Sequence, residues 1–389
     1  MVDGMERPGD KLLYSLYLTN FLSSLAFGTV IYLLPVYAEG VGASYYDLGI
    51  IGGVGNAVYT LSTLVTGFIL DVFDRTRFYS VSCILGFAAI LSFLPTTGVT
   101  EIMLVRGLLG GVSAAFWVTT STIIADASPS EGLTRSMARY NLSWMTAFVV
   151  GPLLGGIISE AFGFTFLFVA ASAINLVSFV IISAFIRPKY ERRKEGSDLR
   201  VSFQALRSLF YVYAALIPYA LILGIYMAIL PGHMKTLGMA TAMVGLLITV
   251  SNGFRGLGFL FAERFVDWGV KKSLYLSSAL LFMALLLVSF SRGEASFLIP
   301  MSLLGFAGGI ITPIILDCVA NGTPPEALGA ALGTHEAIYG IGMCLGPVVG
   351  GAFAEATQPT TLHLTLAMVS LLTAPASRAI GRRKEKPLN

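Results

Sequence analysis

Four ionisable residues stand inside long apolar runs: Arg106, Arg255, Asp317 and Glu336. A charge held at the middle of a lipid bilayer costs roughly 2.5–3.5 kcal/mol, so each of the four needs a partner or a wet cavity. A buried carboxyl has its proton affinity raised toward neutral pH, and a nearby cation pulls it back. This is the chemistry of a proton carrier, with Asp317 or Glu336 taking up the proton and Arg106 and Arg255 tuning it. The other reading of the same residues is a permanent ion pair between Arg255 and one of the carboxylates. His335 titrates near pH 6.5 when unperturbed, but residues adjacent on a helix point about 100° apart. Such a histidine is more often simply hydrogen-bonded than a participant.

Uncharged polar and aromatic side chains share these runs: Asn20, Tyr32, Phe116, Trp117, Asn141, Trp144, Tyr219, Tyr226 and Tyr339. Aromatic walls suit small apolar or amphipathic molecules, although Tyr and Trp also form ordinary interfacial belts. Asn20 and Asn141 are the stronger candidates, because an amide at mid-span needs a partner. No phosphate-cradling loop ending in Gly-Lys-Ser/Thr is present, so ATP-driven chemistry has no motif. The three histidines lie far apart, and Cys83, Cys318 and Cys344 show neither zinc nor disulfide spacing. No cofactor or metal is expected. A net charge of +3 gives no electrostatic basis for binding nucleic acid.

The elements that must position these residues are membrane helices. Of the 389 residues 55% are hydrophobic and 12% charged, against about 25% charged in a soluble domain, and the mean hydropathy is +0.78. A soluble enzyme is excluded, and the bilayer becomes the main partner. A span needs about 20 apolar residues. Twelve such runs occur, roughly 12–35, 47–70, 78–95, 101–125, 133–158, 162–186, 208–231, 240–264, 273–291, 295–320, 327–352 and 360–378. They are too long and too continuous for barrel strands. The polar start followed by a long apolar run lacks the cleavage pattern of a signal peptide.

With the N-terminus inside, 21 of the 25 Lys and Arg fall on inner segments and only Lys235 and Arg292 outside. Both termini are therefore expected in the cytoplasm of a cell-membrane protein. At 1.5 Å per residue, Arg106 lies about 9 Å below the outer face and Arg255 and Glu336 about 13 Å above the inner one.

The chain also reads as a duplication. A shift of 196 brings Gly28 onto Gly224, Pro35 onto Pro231, Gly49 onto Gly245, Asn56 onto Asn252 and Asp71 onto Asp267. A shift of 195 brings Gly151-Pro152-x-x-Gly155-Gly156 onto Gly346-Pro347-x-x-Gly350-Gly351. This divides the chain into bundles 1–186 and 208–389, joined by a basic linker 187–207. In that linker Leu199, Phe203 and Leu206 would make a short interfacial face. Two like halves in one orientation place a site at their interface near the midplane.

Three motifs carry a family resemblance. The turn after the second span runs from Gly67 through Asp71 to Arg75 and Arg77, with Val72 and Asp74 departing from the usual pattern. The fourth span opens Arg106-x-x-x-Gly110-Gly111 and leads to Asp126. The fifth and eleventh spans carry the Gly-Pro-x-x-Gly-Gly strings, the eleventh with the fuller version from Gly342. Together they resemble the loop signature, the arginine motif and the antiporter motif of the major facilitator superfamily, over essentially the whole chain.

The resemblance implies two pseudo-symmetric six-helix bundles and spans 1, 4, 7 and 10 lining a cavity. It places Asp317 and Arg106 on that cavity, which makes Asp317 the first choice of proton carrier. It also implies a cytoplasmic gate of Gly67, Asp71, Arg75, Asp126 and Asp267, and a monomer exporting amphipathic or drug-like molecules against protons. The Gly-Pro strings admit a plainer reading as packing kinks. The functional alternatives are an uptake permease for a small polar metabolite and a non-transporting membrane sensor. Four costly charges argue against the sensor.

Overall fold

The computed structural model describes residues 8–129, 132–185, 209–324 and 327–373. The linker and the basic C-terminal tail read from the sequence lie outside these residues. The described chain is helical throughout: α1 (Pro8–Gly40), α2 (Tyr45–Val72), α3 (Arg75–Leu91) and α4 (Val99–Ala127), then one long stretch Leu133–Phe185. Gly163, at φ 82°, breaks that stretch into α5 (133–162) and α6 (164–185). After the linker come α7 (Phe210–Ala228), α8 (Thr241–Leu260), α9 (Val270–Phe290), α10 (Leu298–Asn321), α11 (Leu328–Ala356) and α12 (Pro359–Ser370). Short helices Leu230–Thr236 and Ala262–Trp268 extend α7 and α8. Nine of the described helical stretches are long and apolar enough to span a membrane. The second arm of the bent stretch, the 17-residue α3 and the 12 described residues of α12 complete the expected twelve.

The boundaries follow from local chemistry. Ser44 and Asp47 form a reciprocal capping box at the start of α2. Asp74 accepts from the Arg77 amide at 2.7 Å and starts α3. Gly42 and Gly238, both at positive φ, turn the chain ahead of α2 and α8, as the duplication requires of residues 196 apart.

Packing repeats as the sequence does. α1 lies on α5, α2 on α4 and α3 on α6 and α4, while α7 lies on α11, α8 on α10 and α9 on α12 and α10. Glycines set the closest approaches. The Gly55 carbonyl leaves no room for a Cβ on Gly110, and the Ser251 carbonyl leaves none on Gly305, one residue pair per half at equivalent positions.

Between the halves α2 meets α11 and α5 meets α8. These contacts gather toward one end, the tight end, which carries the 41–44 and 237–240 loops. There the Pro347 carbonyl fills the Cβ space of Gly49, and the Pro152 carbonyl fills that of Gly245. At the other end, which carries Arg75 and Arg264 and is called here the basic end, Gly67 and Gly333 face open space. Gly67 belongs to the cytoplasmic gate that the family resemblance implies. In this conformation nothing approaches it, because the halves diverge toward the basic end.

Candidate functional site

The Gly-Pro strings hold the halves together through a hydrogen atom they lack. In a helix the N–H of residue i bonds to the carbonyl of i−4. Pro152 and Pro347 have no N–H, which frees the carbonyls of Phe148 and Met343. Asn252 donates its amide to Phe148 O at 2.7 Å, and Asn56 donates to Met343 O at 2.8 Å. Each bond crosses from one half to the other. Gly156 and Gly351 then let backbones meet, against Thr241 and Tyr45 respectively. Gly151 and Gly346 face the other way, onto α1 and α7 of their own halves. These strings pack between the halves as well as within them.

At the tight end two glutamates reach across. Glu355 on α11 accepts from the Tyr45 amide at 3.0 Å, and Glu160 on α5 accepts from the Thr241 amide at 2.6 Å. Each carboxylate meets the positive start of a helix in the opposite half. The Tyr45 hydroxyl also meets His233 Nδ1 at 2.9 Å and Thr236 Oγ1 at 3.1 Å. His233 is buried beside the His363 ring, at 5.7 Å. Burial pushes the His233 imidazole down to about 4, and the Arg292 charge adds to the effect.

Below this seal lie two cavities. One is a narrow pocket lined by Tyr219, Tyr226, Asn252, Arg255 and apolar residues of α7, α9 and α10. Gly308 gives the Tyr219 hydroxyl its space, since a Cβ there would stand 2.7 Å from it. Arg255 Nε and the Tyr226 hydroxyl are buried without a hydrogen-bond partner. Tyr32 enters from the first half, its hydroxyl donating to Asn252 Oδ1 at 3.4 Å. The second, also narrow, includes Arg106, Asn56, Pro35 and Met227. Arg106 donates to Asn56 Oδ1 at 3.2 Å and fills the space that Gly55 leaves.

The carboxylates do not meet the arginines. Asp317 accepts from Asn321 Nδ2 at 2.7 Å within its own helix. Glu336 is 72% exposed and lies 3.2 Å from His335 Nδ1, within electrostatic reach of Tyr59 and Tyr339. Among the described residues neither Arg106 nor Arg255 has an acidic partner within 4.0 Å. The permanent ion pair considered from the sequence is not made here. Distance along a helix sets a residue's height but not the face it occupies.

Other expected cavity residues divide. Trp117 donates from Nε1 to Ser24 Oγ at 3.0 Å and packs edge-on to Phe27, Tyr59 and Phe148. Asn20 is fully buried and donates to Ser143 Oγ at 2.6 Å and Tyr140 O at 3.3 Å. Asn141 is exposed and accepts from Trp144 Nε1 at 3.1 Å. Tyr339 stacks on His335. Phe116 is a correction: it is fully buried between Phe27 and Tyr79, in the core of the first half.

At the basic end Arg75 bonds the Leu70 carbonyl and forms an ion pair with Asp126, tying α2 to α4. Asp71 and Asp267, counted in the gate from the sequence, make no such contact among the described residues. Asn56, Asn252, Glu160, Glu355 and His233 were not read as site residues. The duplication offered the signal for four of them, since Asn56 and Asn252 lie 196 apart and Glu160 and Glu355 lie 195 apart.

Two like helical bundles, gripping each other at one end and parted at the other, have the architecture of a multi-pass membrane transporter. Residues 16–230 and 212–388 match the family model of the Major Facilitator Superfamily, and the chain belongs to that family. It is 22% identical over 365 residues to a multi-drug resistance efflux pump PmrA homolog of Lactococcus lactis, covering 88% of each chain. It is also 22% identical over 392 residues to the multidrug resistance protein MdtG of Escherichia coli, covering 95% of this chain and 94% of that one. Among solved structures, the nucleoside transporter NupG superposes with a TM-score of 0.82 at 15% identity, covering 95% of this chain and 99% of that one.

Proposed function

We propose that this transporter exports small amphipathic molecules from the cytoplasm in exchange for protons. The observation that carries the reading is a cavity walled by tyrosines and apolar residues, sealed at one end by contacts between the halves and parted at the other. The excess of Lys and Arg at the basic end orients that end, and both termini, to the cytoplasm. The tight end is then the outer seal, and this conformation takes substrate from inside. Similarity to proteins named for multidrug resistance and efflux supports export.

Glu336 suits the coupling role better than Asp317. It stands beside the tyrosines around Arg255, whereas Asp317 is engaged by Asn321. Protonated from outside, Glu336 loses its charge and crosses an occluded state at lower cost. Facing the cytoplasm, it releases the proton. The ion pair of Arg75 and Asp126 keeps α2 and α4 moving as one body, and Asp71 and Asp267 remain available as partners when the basic end closes.

Cells with and without the gene, loaded with fluorescent amphiphiles of cationic, neutral and anionic classes, test the direction. Export lowers the accumulation of at least one class when the protein is present. Raised accumulation would establish uptake instead, and no change in any class would remove the export reading.

A further inference from the structure

Arg255 lines a pocket with its guanidinium 5.7 Å from the Phe259 ring centroid and, among the described residues, no carboxylate within 4.0 Å. Its Nε is buried without an acceptor, and so is the Tyr226 hydroxyl nearby. Tyr32, Tyr219 and Tyr339 all lie within electrostatic reach of its guanidinium. Tyrosine hydroxyls can donate as well as accept, so several O–H groups can turn toward an incoming acceptor.

The amide that might have supplied an acceptor is already used. Asn252 gives Nδ2 to the Phe148 carbonyl, and its Oδ1 accepts from Tyr32. Asp317 is held by Asn321, and Glu336 lies against His335. The remaining wall is apolar: Ile222, Leu223, Leu281 and Leu304. The cavity therefore offers one charged fork and the unpartnered Tyr226 hydroxyl on one side and a greasy surface on the other. A planar guanidinium binds a pair of anionic oxygens bidentately, and burial strengthens the pairing.

We propose that this cavity selects organic anions, holding a carboxylate or sulfonate head on Arg255 and the Tyr226 hydroxyl with an apolar or aromatic body against Ile222, Leu223, Leu281 and Leu304. The inference rests on the transport reading only for the direction of movement, because anion binding at Arg255 is a property of the cavity itself. It narrows the substrate class from amphipathic molecules in general to those with a negative head.

The test uses the purified full-length protein in lipid nanodiscs and three probes of one shape: naphthalene-2-sulfonate, naphthalene-2-sulfonamide and 2-naphthylmethylammonium. Binding is read by thermal shift and by titration. The sulfonate should bind at least about tenfold tighter than the sulfonamide, and the ammonium weakest. Arg255→Gln should bring the sulfonate down to the level of the sulfonamide, and an unchanged melting temperature without ligand reports that the variant is folded. Tyr226→Phe should weaken the sulfonate alone, by several-fold.

Equal binding of sulfonate and sulfonamide overturns the proposal. So does preference for the ammonium, or no stabilisation by the sulfonate at millimolar concentration. Loss of both neutral and anionic binding in Arg255→Gln, with no selective effect of Tyr226→Phe, overturns it as well. Failure of the export reading looks different: anion binding that depends on Arg255, with no change in cellular accumulation of any dye. Export of dyes without charge preference, together with equal probe binding, leaves the export reading and removes this one.

Discussion

A proline has no N–H to give, and in α5 and α11 this leaves the carbonyls of Phe148 and Met343 open to Asn252 and Asn56 across the interface. Asn56→Leu should therefore strip one bond between the halves and Asn252→Leu two, each stranding a buried carbonyl at a cost of about 1–3 kcal/mol. A change of that size shifts a two-state population by about fivefold or more. Electron–electron distance measurements between spin labels on the 41–44 and 237–240 loops should show a larger separated population. Pro152→Ala should act in the same direction, because the restored N–H competes for Phe148 O. Unchanged distances in all three variants would remove these bonds from the seal. The four charges within spans were legible from composition alone. Their pairing was not, because sequence spacing fixes depth while the packing of whole helices fixes which side chains meet.

At the level of the helix, the seal is built from matched ends. Glu160 and Glu355 each meet the first amide of a helix in the other half, and Tyr45 adds its hydroxyl to His233. The histidine gives this end a pH dependence of defined sign. An unfolded histidine takes its proton near pH 6.5, whereas in the folded protein His233 stays neutral down to about 4. Between these values the unfolded chain binds more protons, so stability rises with pH and falls on acidification. The melting temperature should drop as pH falls from about 6.5 toward about 4, and His233→Gln should flatten that part of the curve. An identical slope in the variant would place the sensitivity elsewhere, for instance at His363. Helix order and extent were readable in the sequence because each span is a long apolar run. The boundary between the fifth and sixth spans was readable too, and the structure sets it at Gly163; the breaks after α7 and α8 were not, since they depend on local backbone geometry within continuous apolar sequence.

Over the whole molecule, the duplication makes alternation mechanically simple. Two bundles joined by a reciprocal set of bonds at one end can rock about the midplane, trading the Asn56–Met343 and Asn252–Phe148 contacts for new ones at the basic end. The spacing of 195–196 residues made this symmetry visible before any coordinate. Which end is shut was not visible, because both ends carry equivalent residues in sequence and only packing distinguishes them. Transport by the purified protein in liposomes under an imposed pH gradient tests the exporter mechanism most directly. With basic ends outward, an acidic lumen and an anionic dye outside, the wild type should concentrate dye inside, and a protonophore should abolish the accumulation. Glu336→Gln should lose gradient-driven accumulation while keeping dye exchange at equal concentrations, and Asp317→Asn should lose less. Dye accumulation that survives collapse of the gradient, or that Glu336→Gln leaves intact together with its pH dependence, would contradict proton-coupled export through Glu336.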